Sequence, residues 1–320
     1  MRRILPIYLV LTASVLPWSV PVARGGFAYT TLRPTGSVNG FAYGINDRGD
    51  IVGNYATAGG ESHGFLLSGG AYSTVSYGLL YGTSVAGVND AGDMVGYYAL
   101  AFDSNPGGFK TFGGSTLPLN IPDARNTQAL GINAAGRIVG TFEAADGRRS
   151  GFLVDGPNFT VLDAPGASTT ARGINDAGDV VGSYLGQDGY RGFVLSGGLY
   201  TTLSFADDVD TYATGINRLG QIVGYYEDAA GGAHGFLYSN GAFTTLDAPD
   251  AVGRTYVYGI NASGRMVGAY LGADGFQAFT AVAVPEPASL SLLAGGLGLA
   301  FAAGTRARRS PTQPRGESSV

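Results

Sequence analysis

Six asparagines have the type and spacing that first suggest chemistry: Asn46, Asn89, Asn133, Asn175, Asn217 and Asn261. Each ends a Gly-Ile-Asn or Gly-Val-Asn phrase, and each is followed three residues later by glycine. Repeated carboxamides could line a ligand site. Asn and Gly are also the residues that tolerate positive φ in hairpin turns, and a structural turn is the reading the pattern favours. Asn175-Asp176-Ala177-Gly178-Asp179, repeated at 89–93, looks like the start of a calcium loop. Calcium needs six or more oxygens, usually with a bidentate carboxylate. The place of Asp179 is taken by Arg137, Gln221 and Arg265 in other repeats, so no metal is expected.

The remaining reactive side chains are few. His63 and His234 are the two histidines, and they occupy equivalent places in different repeats, too far apart to act as a pair. Each reads as a hydrogen bonder at a strand end. Glycan hydrolysis needs two carboxyls about 5–10 Å apart. Asp163, Asp207, Asp208 and Asp247 follow fourth strands and could converge, but they recur with the repeat and no pair stands out. No catalytic residue and no cofactor is expected.

Composition narrows the classes further. The chain has 320 residues, 54 of them glycine, with 19 Tyr, 16 Phe and no cysteine. Disulfides and thiolate metal sites are excluded. Between residues 27 and 284 there are 12 basic residues against 22 acidic ones, a net charge near −10. Such a body would repel a phosphate backbone, so nucleic acid is not an expected partner.

The elements that must position these residues form a repeat. The phrase starts at Gly44, Gly87, Gly131, Gly173, Gly215 and Gly259, a period of about 43 residues. In the fifth unit, TYATGIN (211–217), QIVGYY (221–226), HGFLYS (234–239) and AFTTL (242–246) read as four short strands, with Asn240-Gly241 as a hairpin turn. Four antiparallel strands per period predict an all-β, six-bladed β-propeller over 26–283. The sixth unit lacks its fourth strand, and Phe27–Leu32 supplies one at the other end, so the ring is expected to close with this N-terminal strand.

The ends read as address labels. Arg2-Arg3, an apolar run from Ile4 to Leu16 and Ala23-Arg24-Gly25 form the pattern of a signal peptide over 1–25, with a signal helix. At the other end, Pro285-Glu286-Pro287 leads into an uncharged run at 288–304, an expected membrane helix. Arg306, Arg308 and Arg309 follow, and a polar tail covers 310–320.

Residues 284–309 resemble the PEP-CTERM sorting signal of exported bacterial proteins, whose C-terminal domain is sometimes labelled after ice-binding proteins. That resemblance implies a transient membrane anchor, cut near Pro-Glu-Pro by an exosortase-type enzyme, in bacteria that make exopolysaccharide. Ice binding wants a flat threonine array, whereas Thr30-Thr31, Thr201-Thr202 and Thr244-Thr245 lie in separate repeats that a propeller turns in different directions. His63-Gly64-Phe65-Leu66 and His234-Gly235-Phe236-Leu237 make the repeat similar to the HAF repeat of exported bacterial proteins, which implies a secreted or surface protein without a defined activity.

The sequence therefore reads as an exported, non-enzymatic interaction module, handled by export machinery and an exosortase-type enzyme and delivered to the cell surface or extracellular matrix. Carbohydrate or exopolysaccharide binding is the alternative, favoured if Tyr97-Tyr98, Tyr225-Tyr226, Tyr256 and Tyr258 cluster on one face. A propeller glycosidase or lyase is the alternative of a different class.

Overall fold

The computed structural model describes residues 10–11, 22–24, 26–77, 82–100, 103–206 and 209–284. Residues 1–284 form one compact unit and 285–320 a second. The sorting motif Pro285, Glu286 and Pro287, the 288–304 run and the cluster Arg306, Arg308 and Arg309 lie outside the described residues, as do Asp207 and Asp208.

The described residues are all-β, built from four-stranded antiparallel meanders. The meander at 210–246 is representative: Asp210–Ile216, Ile222–Glu227, Ala233–Ser239 and Ala242–Leu246 pair in chain order. Equivalent meanders cover 125–162 and 169–203. Those at 37–75 and 82–119 are joined into one larger sheet by a single parallel bridge, Ser62 to Gly82. The strand Phe27–Leu32 pairs antiparallel with Gly275–Ala283, placing Thr30 opposite Thr280.

Most of the expected signal segment 1–25 lies outside the described residues. Val10–Leu11 and Val22–Arg24 are short strands, the second paired with Phe27–Leu32. Open strand edges offer unpaired backbone groups, which these segments satisfy.

One aromatic per meander anchors the core. Phe65, Phe109, Phe152, Phe193, Phe236 and Phe279 are at most 1% exposed. Five are the Phe of a Gly-Phe element and Phe279 follows Ala278 in the same place; burial of each contributes about 1.5–3 kcal/mol. Opposite each Phe, the second strand carries a glycine. A Cβ on Gly224 would overlap the carbonyl oxygen of Tyr212 and sit 2.7 Å from the Phe236 ring. The apolar clusters lie between neighbouring meanders: Leu32, Ile45, Ile51 and Phe65 pack with Val267 and Ala278.

The sheet faces are tied by a second repeated contact. A second-strand Tyr meets a fourth-strand Thr in Tyr55–Thr74 (3.1 Å), Tyr184–Thr202 (2.9 Å) and Tyr226–Thr245 (3.4 Å). Tyr270 makes the same contact with Thr31, 239 residues away, at 3.2 Å.

Candidate functional site: an aromatic mouth at the strand bulges

The first strand of each meander carries an irregularity that the repeat pattern did not reveal. Its register against the second strand shifts between Ala42 and Gly44, so Tyr43 has no partner. The same shift leaves Ala86, Leu130, Arg172, Thr214 and Tyr258 unpaired. A β-bulge turns its extra residue out of the ladder and re-aims the side chain. Here all of the bulge residues, with Tyr97, line one small cavity of about 40 Å³. The glycine after each bulge allows the first strands to crowd together. A Cβ on Gly131 would lie 2.6 Å from the carbonyl oxygen of Arg172, and one on Gly215 2.8 Å from that of Tyr258.

Aromatic rings surround this mouth. Tyr43 and Tyr258 are 5.1 Å apart at 61°. Tyr258 lies parallel to Tyr256 (6.1 Å, 5°), and Tyr256 meets Tyr225 edge-on at 4.8 Å. Tyr225 stacks on Tyr212 at 4.6 Å, and Phe41 continues the group from Tyr43 at 6.0 Å. Of the tyrosines singled out by sequence, Tyr97, Tyr225, Tyr256 and Tyr258 belong here. Tyr98 and Tyr226 point elsewhere, because strand alternation sends neighbours to opposite faces. Tyr98 stacks on Tyr77 at 4.4 Å, and Tyr226 on Phe205 at 3.7 Å.

The mouth's electrostatics follow from burial. Loss of water, then the neighbouring Tyr97 and Tyr258 phenols, pushes the Tyr43 pKa up. Burial also raises Tyr258, with Tyr225 next in effect. These phenols stay protonated and can donate hydrogen bonds. Arg172 is the one charged bulge residue; its Nε is buried without a hydrogen-bond partner. Its positive charge opposes the rise at Tyr43, Tyr225 and Tyr258. Sequence reasoning missed Arg172 and Tyr43. The available signal was internal: the residue before each repeat glycine changes from Tyr to Ala, Leu, Arg, Thr and Tyr within an otherwise uniform phrase.

The asparagines lie at the other end of the first strands, just past the Ile or Val that follows each glycine. All are buried, at 4–5% exposure. Their own φ is not positive; positive φ falls on the glycine three residues later, as at Gly49 (88°) and Gly220 (74°). The side chains act as caps instead. Asn217 Oδ1 accepts from the Gln221 N–H at 3.0 Å, while its Nδ2 donates to the Asn261 carbonyl at 3.0 Å. Asn46 donates likewise to Asn89 (3.0 Å), Asn89 to Asn133 (3.3 Å) and Asn133 to Asn175 (3.1 Å).

The histidines and acids sit away from this mouth's lining. His234 lies between two carboxylates, with Nδ1 3.0 Å from Asp247 and Nε2 3.1 Å from Asp228. Asp163 is held by Arg148 at 2.7 Å. Among the described residues, no three His, Asp or Glu side chains gather as a metal site.

No protein-family model and no curated protein matches the chain. Solved structures do. A mutant of the Aleuria aurantia lectin in complex with Fucalpha1-6GlcNAc is 11% identical, covers 80% of this chain and 100% of its own, and superposes with a TM-score of 0.52. The fucose-specific lectin from Aleuria aurantia in an Hg-derivative form is 10% identical over 80% of this chain and 100% of its own (TM-score 0.51). TolB from Acinetobacter baumannii is 14% identical over 79% of this chain and 66% of its own (TM-score 0.50). At such identities the likeness speaks to the fold, which is β-propeller-like and all-β.

Proposed function

We propose that this chain is an exported, non-enzymatic six-bladed β-propeller that binds carbohydrate at the aromatic mouth of its axis. Six blades and a closed ring are supported by the asparagine hydrogen bonds, which run from Asn46 through Asn89 and Asn133 to Asn175 and from Asn217 through Asn261 back to Asn46. The pairing of Phe27–Leu32 with Gly275–Ala283 supports closure by the N-terminal strand. The lectins of similar fold make sugar binding a natural use of such a scaffold, although fold alone does not assign it.

The observation that carries the reading is the convergence of Tyr43, Tyr97 and Tyr258 on one cavity, with Tyr225 and Tyr256 packed against Tyr258. Sugar rings present apolar C–H faces that pack on aromatic rings, while protonated phenols donate to ring oxygens and hydroxyls. Delivery rests on the tail: Pro285-Glu286-Pro287, the apolar run and Arg306, Arg308 and Arg309 support transient anchoring and exosortase-type processing. The fate of the body is then the cell surface or extracellular matrix.

A glycan array with the full-length protein tests the binding role. Tyr258→Ala should abolish the glycan signal while leaving the melting temperature close to that of the parent. An array without a hit, or a signal unchanged by Tyr258→Ala and Tyr43→Ala, would overturn it.

A further inference from the structure

Arg172 is out of keeping with its surroundings. The other bulge residues are neutral: Tyr43, Ala86, Leu130, Thr214 and Tyr258. Among the described residues no carboxylate forms an ion pair with the Arg172 guanidinium, although ion pairs hold Arg48, Arg137, Arg148 and Arg218. Its Nε is buried and lacks a hydrogen-bond partner. A buried guanidinium nitrogen without an acceptor is costly, and the cost disappears when an anionic oxygen arrives. The acidic body makes this cation more unusual, since 22 acids between residues 27 and 284 could have supplied a partner.

We infer that the axial mouth selects a sugar bearing a carboxylate, a uronic acid, whose carboxyl group pairs with Arg172 while its ring packs on Tyr43 and Tyr258. This rests on the carbohydrate reading above and names the ligand class. The planar guanidinium matches a carboxylate through two parallel N–H···O bonds. The tyrosine phenols supply donors for the remaining oxygens. A single cation in a small cavity suits one carboxylate at the end of a glycan. A dense polyanion would bring many charges against a body near −10 with one cation to receive them.

Matched oligosaccharides test this with the full-length protein: one ending in glucuronate, its neutral glucose counterpart, a sulfated counterpart and an acidic peptide. Wild type should bind the glucuronate form about tenfold or more tightly than the glucose form. Arg172→Gln should bring the two affinities together. Arg172→Lys keeps the charge but loses the planar fork, so it should retain a reduced preference, which also guards against a folding defect in Arg172→Gln. Equal affinity of wild type for the acidic and neutral sugars would overturn the inference and leave the carbohydrate reading intact. So would preference for the sulfated form. Binding of the peptide with no binding of any sugar would overturn both.

Discussion

The side-chain amide of Asn261 donates to the backbone carbonyl of Asn46, 215 residues earlier in the chain, at 3.1 Å. This bond has the same geometry as that from Asn46 to Asn89, 43 residues apart. A single residue type thus does two jobs. Oδ1 closes the local turn, and Nδ2 reaches the next meander. At Asn46, Asn89, Asn133, Asn217 and Asn261 the carbonyl it reaches belongs to the equivalent asparagine, so the turn fixes the position of its neighbour.

Asn217→Ala should therefore cost more than a lost turn residue. It removes the acceptor for the Leu219 and Gln221 N–H groups and the donor to Asn261. Buried groups left without partners cost about 1–3 kcal/mol, and about 2 kcal/mol is expected here. Urea denaturation should show a lower midpoint, with sugar binding by the folded variant unchanged. Loss of binding at unchanged stability would return these asparagines to the ligand-site reading.

Gly224→Ala should be more severe. The new methyl would overlap the Tyr212 carbonyl oxygen and press on the fully buried Phe236. Overpacking costs about 1–3 kcal/mol, and displacing a bulged strand adds to it. A drop in melting temperature larger than that of Asn217→Ala is expected. Parental stability would mean the first strand can shift at no cost.

Removing residues 27–32 should unseat the last meander. The deletion takes away Phe27, Tyr29 and Leu32, each 5–6% exposed, at about 1.5–3 kcal/mol for a large buried side chain. It also bares the edge of Gly275–Ala283, an invitation to pair with other chains. Lower thermal stability and increased light scattering are the expected readouts. A truncated protein that melts like the parent would contradict ring closure by this strand.

Much of this architecture was legible before any coordinates. The period, the four strands and the Asn240-Gly241 turn are written in local residue types, which obey the alternation of a sheet and the φ demands of a turn. Phe27–Leu32 was readable because its Tyr29-Thr30-Thr31-Leu32 repeats Tyr200-Thr201-Thr202-Leu203 of a fourth strand. The mouth was not legible, because a bulge depends on register between two strands and leaves no fixed residue signature when the bulge residue varies from Tyr43 to Arg172. The asparagine bonds were half legible. Turn chemistry is local, while the Nδ2 partner lies some 42–44 residues away. Tyrosine orientation failed for Tyr98 and Tyr226 because each tyrosine pair needed the facing strand to say which ring looks to the axis.

The tail makes a prediction independent of the mouth. If Pro285-Glu286-Pro287 directs processing, mass spectrometry of the mature protein from its native host should find the C-terminus near 285–288. Glu286→Ala should remain uncut and membrane-bound. Recovery of the intact chain through Val320 from the wild type would leave a permanent anchor instead.

His234 gives the fold a pH dependence whose sign can be derived. Burial alone would lower its pKa, but hydrogen bonds from the ring to Asp228 and Asp247 outweigh that and raise it above the usual 6.5. The protonated ring donates from both nitrogens, at 3.0 Å and 3.1 Å. A neutral ring can donate from only one and leaves the other carboxylate facing a lone pair. A pKa raised by folding means the folded state holds the proton more tightly than the unfolded chain. The stabilisation is therefore fully present below the unfolded value, about 6.5. It declines as pH rises through the higher folded value. Asp228 runs the other way: its hydrogen bond with His234 lowers its pKa, so its contribution is present above the ordinary carboxylate range and fades in acid. Measurements should begin near pH 5.5, where the carboxylates are ionised. The melting temperature of wild type minus that of His234→Asn should be largest there and shrink towards pH 9. His63, whose Nε2 lies 3.5 Å from the exposed Glu61 as its one ion-pair partner among the described residues, provides the control. A difference that stays flat across the range, or grows with pH, would show that the ring is not held as the cation between these two carboxylates.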